Sequence, residues 1–434
     1  MAAVYHVSMH DIRLRLFLTS VAIALAVVPT SAAAAVTPGQ RIKLVCPSGA
    51  AVTHMCKAVY YVGSDGKRRA FPSDTVYFSW YADFSGIQTV TSSVLAAIPL
   101  GANVTYRPGT TLVKFESISK VYAVAGGGEL RWMTSEALAR ASYGSGWSSA
   151  VKDIADVLFS NYRFGTDITA AAPYDRAAET AAAPTIEGAL ESTFATRTVM
   201  TTRGNFDVEV VTLQKSRFTM ITDTADTSAC TNGCAVRSLA DYATSNDATI
   251  GINGTYFCPT EYPDCAGKTN TFLAPFFNSA ARVMQNASSL IVHKGPMLAE
   301  ATDGRTFFFH RTADFGSSVS AFESAHQATL GAAISNYPSL VENGIVIVES
   351  EERLAETNPT VKGLRGGIGM NDQNFFLVIA HAATVTDLAY VMQTLGAQDA
   401  LNLDGGGSAA LLYDSAYKVG PGRQLPNAIL FRHR

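Results

Sequence analysis

The stretch Leu401–Leu412, Leu-Asn-Leu-Asp-Gly-Gly-Gly-Ser-Ala-Ala-Leu-Leu, constrains this chain more than any other. The apolar-alternating segment from Ala400 to Leu403 predicts a short strand that delivers Asp404 to its end. Gly405, Gly406 and Gly407 follow, where the backbone can take φ > 0 and a ligand can approach closely. Ser408 closes the turn, and Ala409 to Tyr413 reads as the next strand. A carboxylate beside a run of open backbone N–H groups suits a site that manages developing positive charge and holds an anion. On residue types alone the stretch reads equally well as a glycine-rich hairpin turn with Asp404 as the turn former.

Other segments of the C-terminal half favour the first reading. Asn253-Gly254-Thr255-Tyr256-Phe257 follows an apolar strand, Ala248 to Ile252. Arg365-Gly366-Gly367-Ile368-Gly369 precedes another, Phe375 to Ala380. A helix from Thr384 to Leu395 leads through Gly396 into the Asp404 strand, and Arg423-Gln424-Leu425-Pro426-Asn427-Ala428 lies near the end. This ordered set, from Thr196 to Phe431, resembles the phosphodiester glycosidase family, whose members include the lysosomal enzyme that removes N-acetylglucosamine from a sugar phosphodiester.

The resemblance implies hydrolysis of a sugar-1-phosphodiester at the anomeric carbon, with a glycan or sugar phosphate as substrate. The leaving group is a phosphate monoester, so a strong general acid is less necessary than in ordinary glycoside cleavage. Asp404 is then the carboxylate that faces the oxocarbenium-like sugar or activates water. Arg365 offers a planar fork for phosphate oxygens, Gly405, Gly406 and Gly407 offer N–H groups, and Asn253 offers a donor and an acceptor for sugar hydroxyls. Ser408 is placed to bond Asp404 or the phosphate; the nucleophile-elbow pattern is absent around it. Glu342 and Asp372 are candidates for a second carboxylate. Asp404 and nearby carbonyls are hard oxygen ligands, but no clustered acidic set accompanies them, so no metal and no cofactor is predicted. This chain has Arg-Gly-Gly-Ile-Gly where the family usually shows Arg-Thr-Ala-Ile-Gly. That departure motivates one alternative, a non-enzymatic surface adhesin on the same fold; another hydrolase of phosphodiester-linked polymers is the second alternative.

At 434 residues the chain is long enough for two or three domains. The formal net charge of −3, with no basic run, argues against nucleic acid as a partner. Residues 1–35 read as a secretory signal: Arg13 and Arg15, the apolar run Leu16 to Val28, then Ser31 to Ala35 as a small-residue cleavage site. The run is short for a membrane span, and no later stretch reads as one, so the mature protein is expected outside the cell, at its surface or in a periplasm. In that setting the six cysteines favour disulfides. Cys46 with Cys56 and Cys258 with Cys265 are the favoured pairs; Cys230 with Cys234 permits a local bridge, with cross-pairing to Cys258 and Cys265 open.

Between about 38 and 168 the chain echoes itself. Val59-Tyr60-Tyr61-Val62 with Gly66-Lys67-Arg68-Arg69 returns as Val121-Tyr122-Ala123-Val124 with Gly128-Glu129-Leu130-Arg131, and Ser73-Asp74 returns as Ser135-Glu136, each placed to cap a helix. Trp80, Trp132 and Trp147, with Tyr60, Tyr61, Tyr77, Tyr81 and Tyr143, lie here. They read either as the core of a small repeat or as a surface for a cell-wall polymer. Residues 169–195, rich in Ala, Thr and Pro, read as a linker in which Asp175 to Ala183 forms a loose helix. The expected architecture is α+β: a small two-repeat α+β module at 36–168, the linker at 169–195, and a mixed-sheet catalytic domain at 196–434. Further strands are expected at Arg197–Thr202, Phe206–Leu213, Phe218–Thr222, Leu290–His293, Thr306–His310, Val319–Phe322 and Ile345–Val348. A helix is expected over Ser238–Ser245. Thr384 to Asp387 fits a capping box, which makes Asp387 a cap and not an acid catalyst. His293, His310, His326 and His381 read as core or surface histidines.

Overall fold

Short polar turns fold the chain from Ser192 onward back on itself strand after strand. Asn371, for example, accepts from the N–H groups of Gln373 and Asn374 through its side chain, an Asx turn that reverses the chain. It joins strand Gly363–Met370 to strand Asn374–Ala383 as an antiparallel hairpin. The computed structural model describes residues 36–351, 354–357 and 360–434; the expected signal segment 1–35 lies outside them.

Three antiparallel sheets build the C-terminal region. The largest has seven strands in the order Ser192–Thr201, Gly204–Gln214, Asn374–Ala383, Gly363–Met370, Asp399–Asn402, Ser339–Glu342, Ile345–Val346. A second runs Phe218–Thr224, Asn427–His433, Ile250–Asn253, Leu411–Tyr413, Ala416–Val419. The third spans Phe276 to Ser335. Strand Asn374–Ala383 is buried on both faces, which is why Phe375–Ala380 is an unbroken apolar run. Phe375, Leu377 and Ile379 join Ile252, Leu401, Leu411 and Ile429 in the core between sheets. Phe376, Val378 and Ala380 face the opposite way, onto Leu388, Val391 and Met392 of helix Val385–Thr394. Helix Leu239–Ser245 covers the outer face of the second sheet through Leu239 and Tyr242. The α+β class holds. The mixed strand pairing falls in the N-terminal sheets, where Arg41–Leu44 is parallel to Ile87–Val90 and Leu112–Phe115 to Val151–Ile154.

Four strands of each N-terminal sheet share one order, hairpin strand, central strand, first strand, then the parallel return strand; the second sheet adds Arg163–Phe164, parallel to Glu129–Trp132. In each, a serine caps the helix after the hairpin: Ser73 accepts from Val76 N–H and Ser135 from Leu138 N–H. Tyr61 and Tyr77 are buried. Trp80, Tyr81 and Trp132 pack against one cluster, and Tyr143 and Trp147 against another. These rings therefore serve as core. The Ala/Thr/Pro-rich segment carries two short helices, Arg176–Ala182 and Ile186–Ala189, capped by Asp175 and Thr185. It is tied to both sides: Glu179 pairs with Arg217, and Glu191 with Arg163.

All three local disulfides form, Cys46–Cys56, Cys230–Cys234 and Cys258–Cys265. Thr384 and Asp387 form the expected capping box, and Asp387 also pairs with Arg203. Some expected strands are not strands. Leu290–His293 is a run of turns following a 3-10 turn at Ala287–Ser289. Val319–Phe322 lies in helix Val319–His326, because Ser318 caps it and Phe322 packs inward beside Val319. Ile345–Val348 keeps only Ile345–Val346 as strand, paired with strand Ser339–Glu342. Among the described residues no helix is long and apolar enough to cross a membrane.

Candidate active site

Asp404 stands where the first and second sheets part. Strand Asp399–Asn402, inside the seven-stranded sheet, carries it to the strand end, and its N–H donates to the carbonyl of Gly254, at the end of the neighbouring sheet's strand Ile250–Asn253 (3.0 Å). Asn253 locks this junction. Its Nδ2 donates to the backbone carbonyl of Asp404 (2.8 Å), and its Oδ1 accepts from the N–H of Ala410 (3.1 Å). Asn253 is fully buried, so it lies beneath Asp404 as a clamp rather than at the open face expected of a ligand for sugar hydroxyls.

Asp404 as a residue is half-buried, and protein closely surrounds its carboxylate. That burial pushes its pKa up to about 6, against the hydrogen bond from Ser408, the N–H of Gly405 and the positive charges of Arg423 and Arg365. Gly405 N–H donates to Oδ1 at 2.9 Å. A side chain at 405 would bring its Cβ to 2.6 Å from the carbonyl of Leu364, and Gly406 takes φ +59°, so the turn requires glycine at both positions.

Arg365 is near enough to bias Asp404 electrostatically, but its Nη2 donates to the carbonyl of Val361 (2.6 Å) and its Nε to that of Ala383 (3.4 Å). Arg423, quoted above only as part of a motif, comes closer to the turn: its Nη1 donates to Ser408 Oγ (3.2 Å). Ser408 is completely buried and links Arg423 to Asp404. Sequence reasoning also gave no role to Asn336, Asn402, Asn427 and Tyr256. All four are buried or nearly so, and they brace the same corner. Asn402 Nδ2 donates to the phenol oxygen of Tyr256 (2.6 Å), Asn336 Nδ2 to the carbonyl of Asn402 (2.9 Å), and Asn427 Oδ1 accepts from Thr255 N–H (2.9 Å). Burial and the charge of Asp404 raise the pKa of Tyr256. For Asn402, Asn427 and Tyr256 the signal was their place in the quoted motifs; Asn336, which follows strand Leu330–Ser335, had none.

Beside this network opens a cavity of about 200 Å³ lined by Tyr256, Phe257, Lys268, Phe272, Asn336 and Tyr337, among others. The Cys258–Cys265 loop forms part of its wall. The two candidates for a second carboxylate lie elsewhere: Glu342 pairs with His310, and Asp372 lines a separate cleft with Ser64 and Glu187. His381 pairs with Glu209, and His326 packs among Phe307, Phe309 and Phe322. Among the described residues Asp226, Cys230 and Cys234 are close enough together for a metal, but both sulfurs are spent in a disulfide.

Residues 246–432 match the phosphodiester glycosidase family, which supports a hydrolase of that type. The resemblance carried by the Asn253, Arg365 and Asp404 motifs therefore holds over that segment. Among solved structures, the chain is similar to a hypothetical protein from Synechocystis, with 15% identity and TM-score 0.44, over 56% of this chain and 62% of that one. It is similar to the catalytic domain of zebrafish N-acetylglucosamine-1-phosphodiester alpha-N-acetylglucosaminidase, auto-inhibited by its pro-peptide, with 14% identity and TM-score 0.44, over 56% of this chain and 83% of that one. A putative exported protein from Burkholderia pseudomallei K96243 matches with 13% identity and TM-score 0.38, over 52% and 74% of the two chains. No curated protein matches the chain.

Proposed function

We propose that this protein is an exported glycosidase that hydrolyses a glycosyl-1-phosphodiester, cleaving the anomeric C–O bond to release sugar and a phosphomonoester. The observation that carries the reading is the Asp404 corner: a carboxylate with its pKa near 6, ionised at neutral pH and held by Gly405 and Ser408, with guanidinium groups beside it. An ionised carboxylate stabilises positive charge growing at an anomeric carbon, and nearby cations stabilise the departing phosphate. Asn253 serves by positioning Asp404 through its main-chain carbonyl. The aromatic-walled cavity beside Tyr256 is the seat for the sugar ring, whose apolar C–H face packs on such rings. Arg365 contributes its charge to the corner, and the Gly405–Gly407 turn its N–H groups.

The substrate is a cell-surface or extracellular glycan. Three disulfides, and no membrane-crossing helix among the described residues, are consistent with an extracellular protein. The N-terminal region, read as a two-copy module, sits at 36–168 and supports attachment to a wall polymer through its outer surface rather than its buried rings. The test is incubation of the full chain with synthetic sugar-1-phosphodiesters of several sugars. Free sugar and phosphomonoester in equal amounts are expected. A protein inert across the panel that still binds wall polymer would be an adhesin and not this enzyme.

A further inference from the structure

Arg423 is held in an unusual way for a residue beside a reaction centre. Its Nε donates to Glu261 Oε1 (3.2 Å), its Nη2 lies 3.5 Å from the phenol oxygen of Tyr262, and its Nη1 reaches Ser408 Oγ (3.2 Å). The guanidinium packs over the glycine turn so closely that a Cβ at Gly407 would sit 3.0 Å from it, and the N–H of Arg423 donates to the carbonyl of Gly407 (2.9 Å). The arginine is three-quarters covered, whereas the Glu261 side chain is 55% exposed. Glu261 and Tyr262 belong to the loop closed by Cys258–Cys265. One end of the guanidinium is thus fixed to Ser408, while the other carries a carboxylate from a surface loop.

A carboxylate that exposed gains little from its pairing. A phosphate brings more charge and can take the planar fork at two points. Arg365 is differently placed, since two of its donors already serve main-chain carbonyls. We infer that Arg423, anchored through Ser408, is the anion-binding residue of this corner, and that Glu261 is an internal placeholder which a phosphate displaces. The ligand class is a phosphomonoester or phosphodiester group. Its role as the departing phosphate rests on the proposed function; its binding at Arg423 does not.

The experiment is calorimetric titration of the full chain with inorganic phosphate at pH 7.5, and separately with glycerol phosphate, for wild type and three variants. Arg423→Gln is expected to weaken binding at least tenfold, and Arg423→Lys, which keeps the charge and loses the fork, several-fold. Glu261→Gln removes the competing carboxylate without disturbing the fold and is expected to tighten binding about two- to fivefold, the range its pairing energy allows. A merely structural Glu261 would give the opposite sign or no change. Wild type without phosphate binding, Arg423 variants that bind as wild type does, or a Glu261→Gln variant that binds no tighter would each overturn the inference. Phosphate bound through Arg423 in a protein that releases no sugar would leave this site standing and remove the glycosidase reading instead.

Discussion

Asp404 and Glu191, two of the carboxylates whose pKa burial raises, sit in corners of opposite design. Burial pushes Glu191 up to about 7 against the charges of Arg163 and Arg217. Glu191 is caged: Arg163 bonds both its oxygens, Arg217 lies 3.6 Å and His433 3.4 Å away. Every face of that carboxylate meets the seam between the N-terminal sheets and the C-terminal strands. Asp404 is held by small donors, one N–H and one hydroxyl, and its charged neighbours act through Ser408 or at a distance. A raised pKa therefore marks burial in both places. The difference is that Asp404 is half-buried at an open turn, whereas Glu191 is enclosed by its partners.

The sharpest way to break this contrast is to neutralise each acid in turn. Asp404→Asn should lower kcat and kcat/KM together by about a thousandfold, roughly 4 kcal/mol of transition-state stabilisation, with little change in the denaturation midpoint. Glu191→Ala should do the reverse. It strips partners from Arg163 and Arg217 and should cost about 2–3 kcal/mol in denaturant unfolding, below the value for a fully buried pair because Arg163 is a third exposed, with turnover within about twofold of wild type. Loss of turnover on Glu191→Ala at full stability would erase the distinction.

The two acids also separate by pH. Asp404 must be ionised to act, so kcat/KM should rise through about pH 6 and level off above it. Ser408→Ala removes a hydrogen bond that holds this pKa down and should move that limb upward. Glu191 has its folded pKa raised from 4.5 to about 7. Between those values the folded state holds the proton that the unfolded chain has lost, so this group's contribution to stability is complete below about pH 4.5 and declines as pH rises toward 7. Glu191→Gln should flatten that part of the profile, read from urea midpoints. An unchanged profile would show that the cage keeps Glu191 ionised throughout.

Asn253→Ala should connect the corners' lessons, since it leaves the Ala410 N–H unpaired in a buried place. A loss of about 1–3 kcal/mol is expected, together with a fall in kcat larger than any change in KM, because Asp404 loses its clamp. Thr384→Ala should have the smallest effect. It removes a helix cap for about 1 kcal/mol and leaves turnover as it was.

Much of the corner was legible because it is built from local chemistry. The strand–Asp–Gly-Gly-Gly–Ser order places Asp404 and its donors within a few bonds of one another, and close cysteine spacing favours pairing between neighbours. What the chain order conceals is the direction of each side chain. Arg365 and Arg423 are both arginines beside glycines, yet one turns to main-chain carbonyls and the other to Ser408. Asn253 is read as a ligand until its side chain is seen buried between the Asp404 carbonyl and the Ala410 N–H. The strand expectation for Val319–Phe322 failed for a related reason: a short apolar run has no period long enough to separate strand from helix, and the Ser318 cap decided it. The Ala/Thr/Pro composition of 169–195 likewise carries no sign of the ion pairs that Glu179 and Glu191 make with distant arginines.

The account rests on Asp404 serving an anomeric carbon rather than a phosphorus atom, and hydrolysis in ¹⁸O-labelled water tests that most directly. With wild-type protein and a synthetic sugar-1-phosphodiester, mass spectrometry should find the label in the anomeric hydroxyl of the released sugar and none in the phosphomonoester. Label in the phosphate would show attack at phosphorus, making the protein a phosphodiesterase and contradicting the role assigned to Asp404.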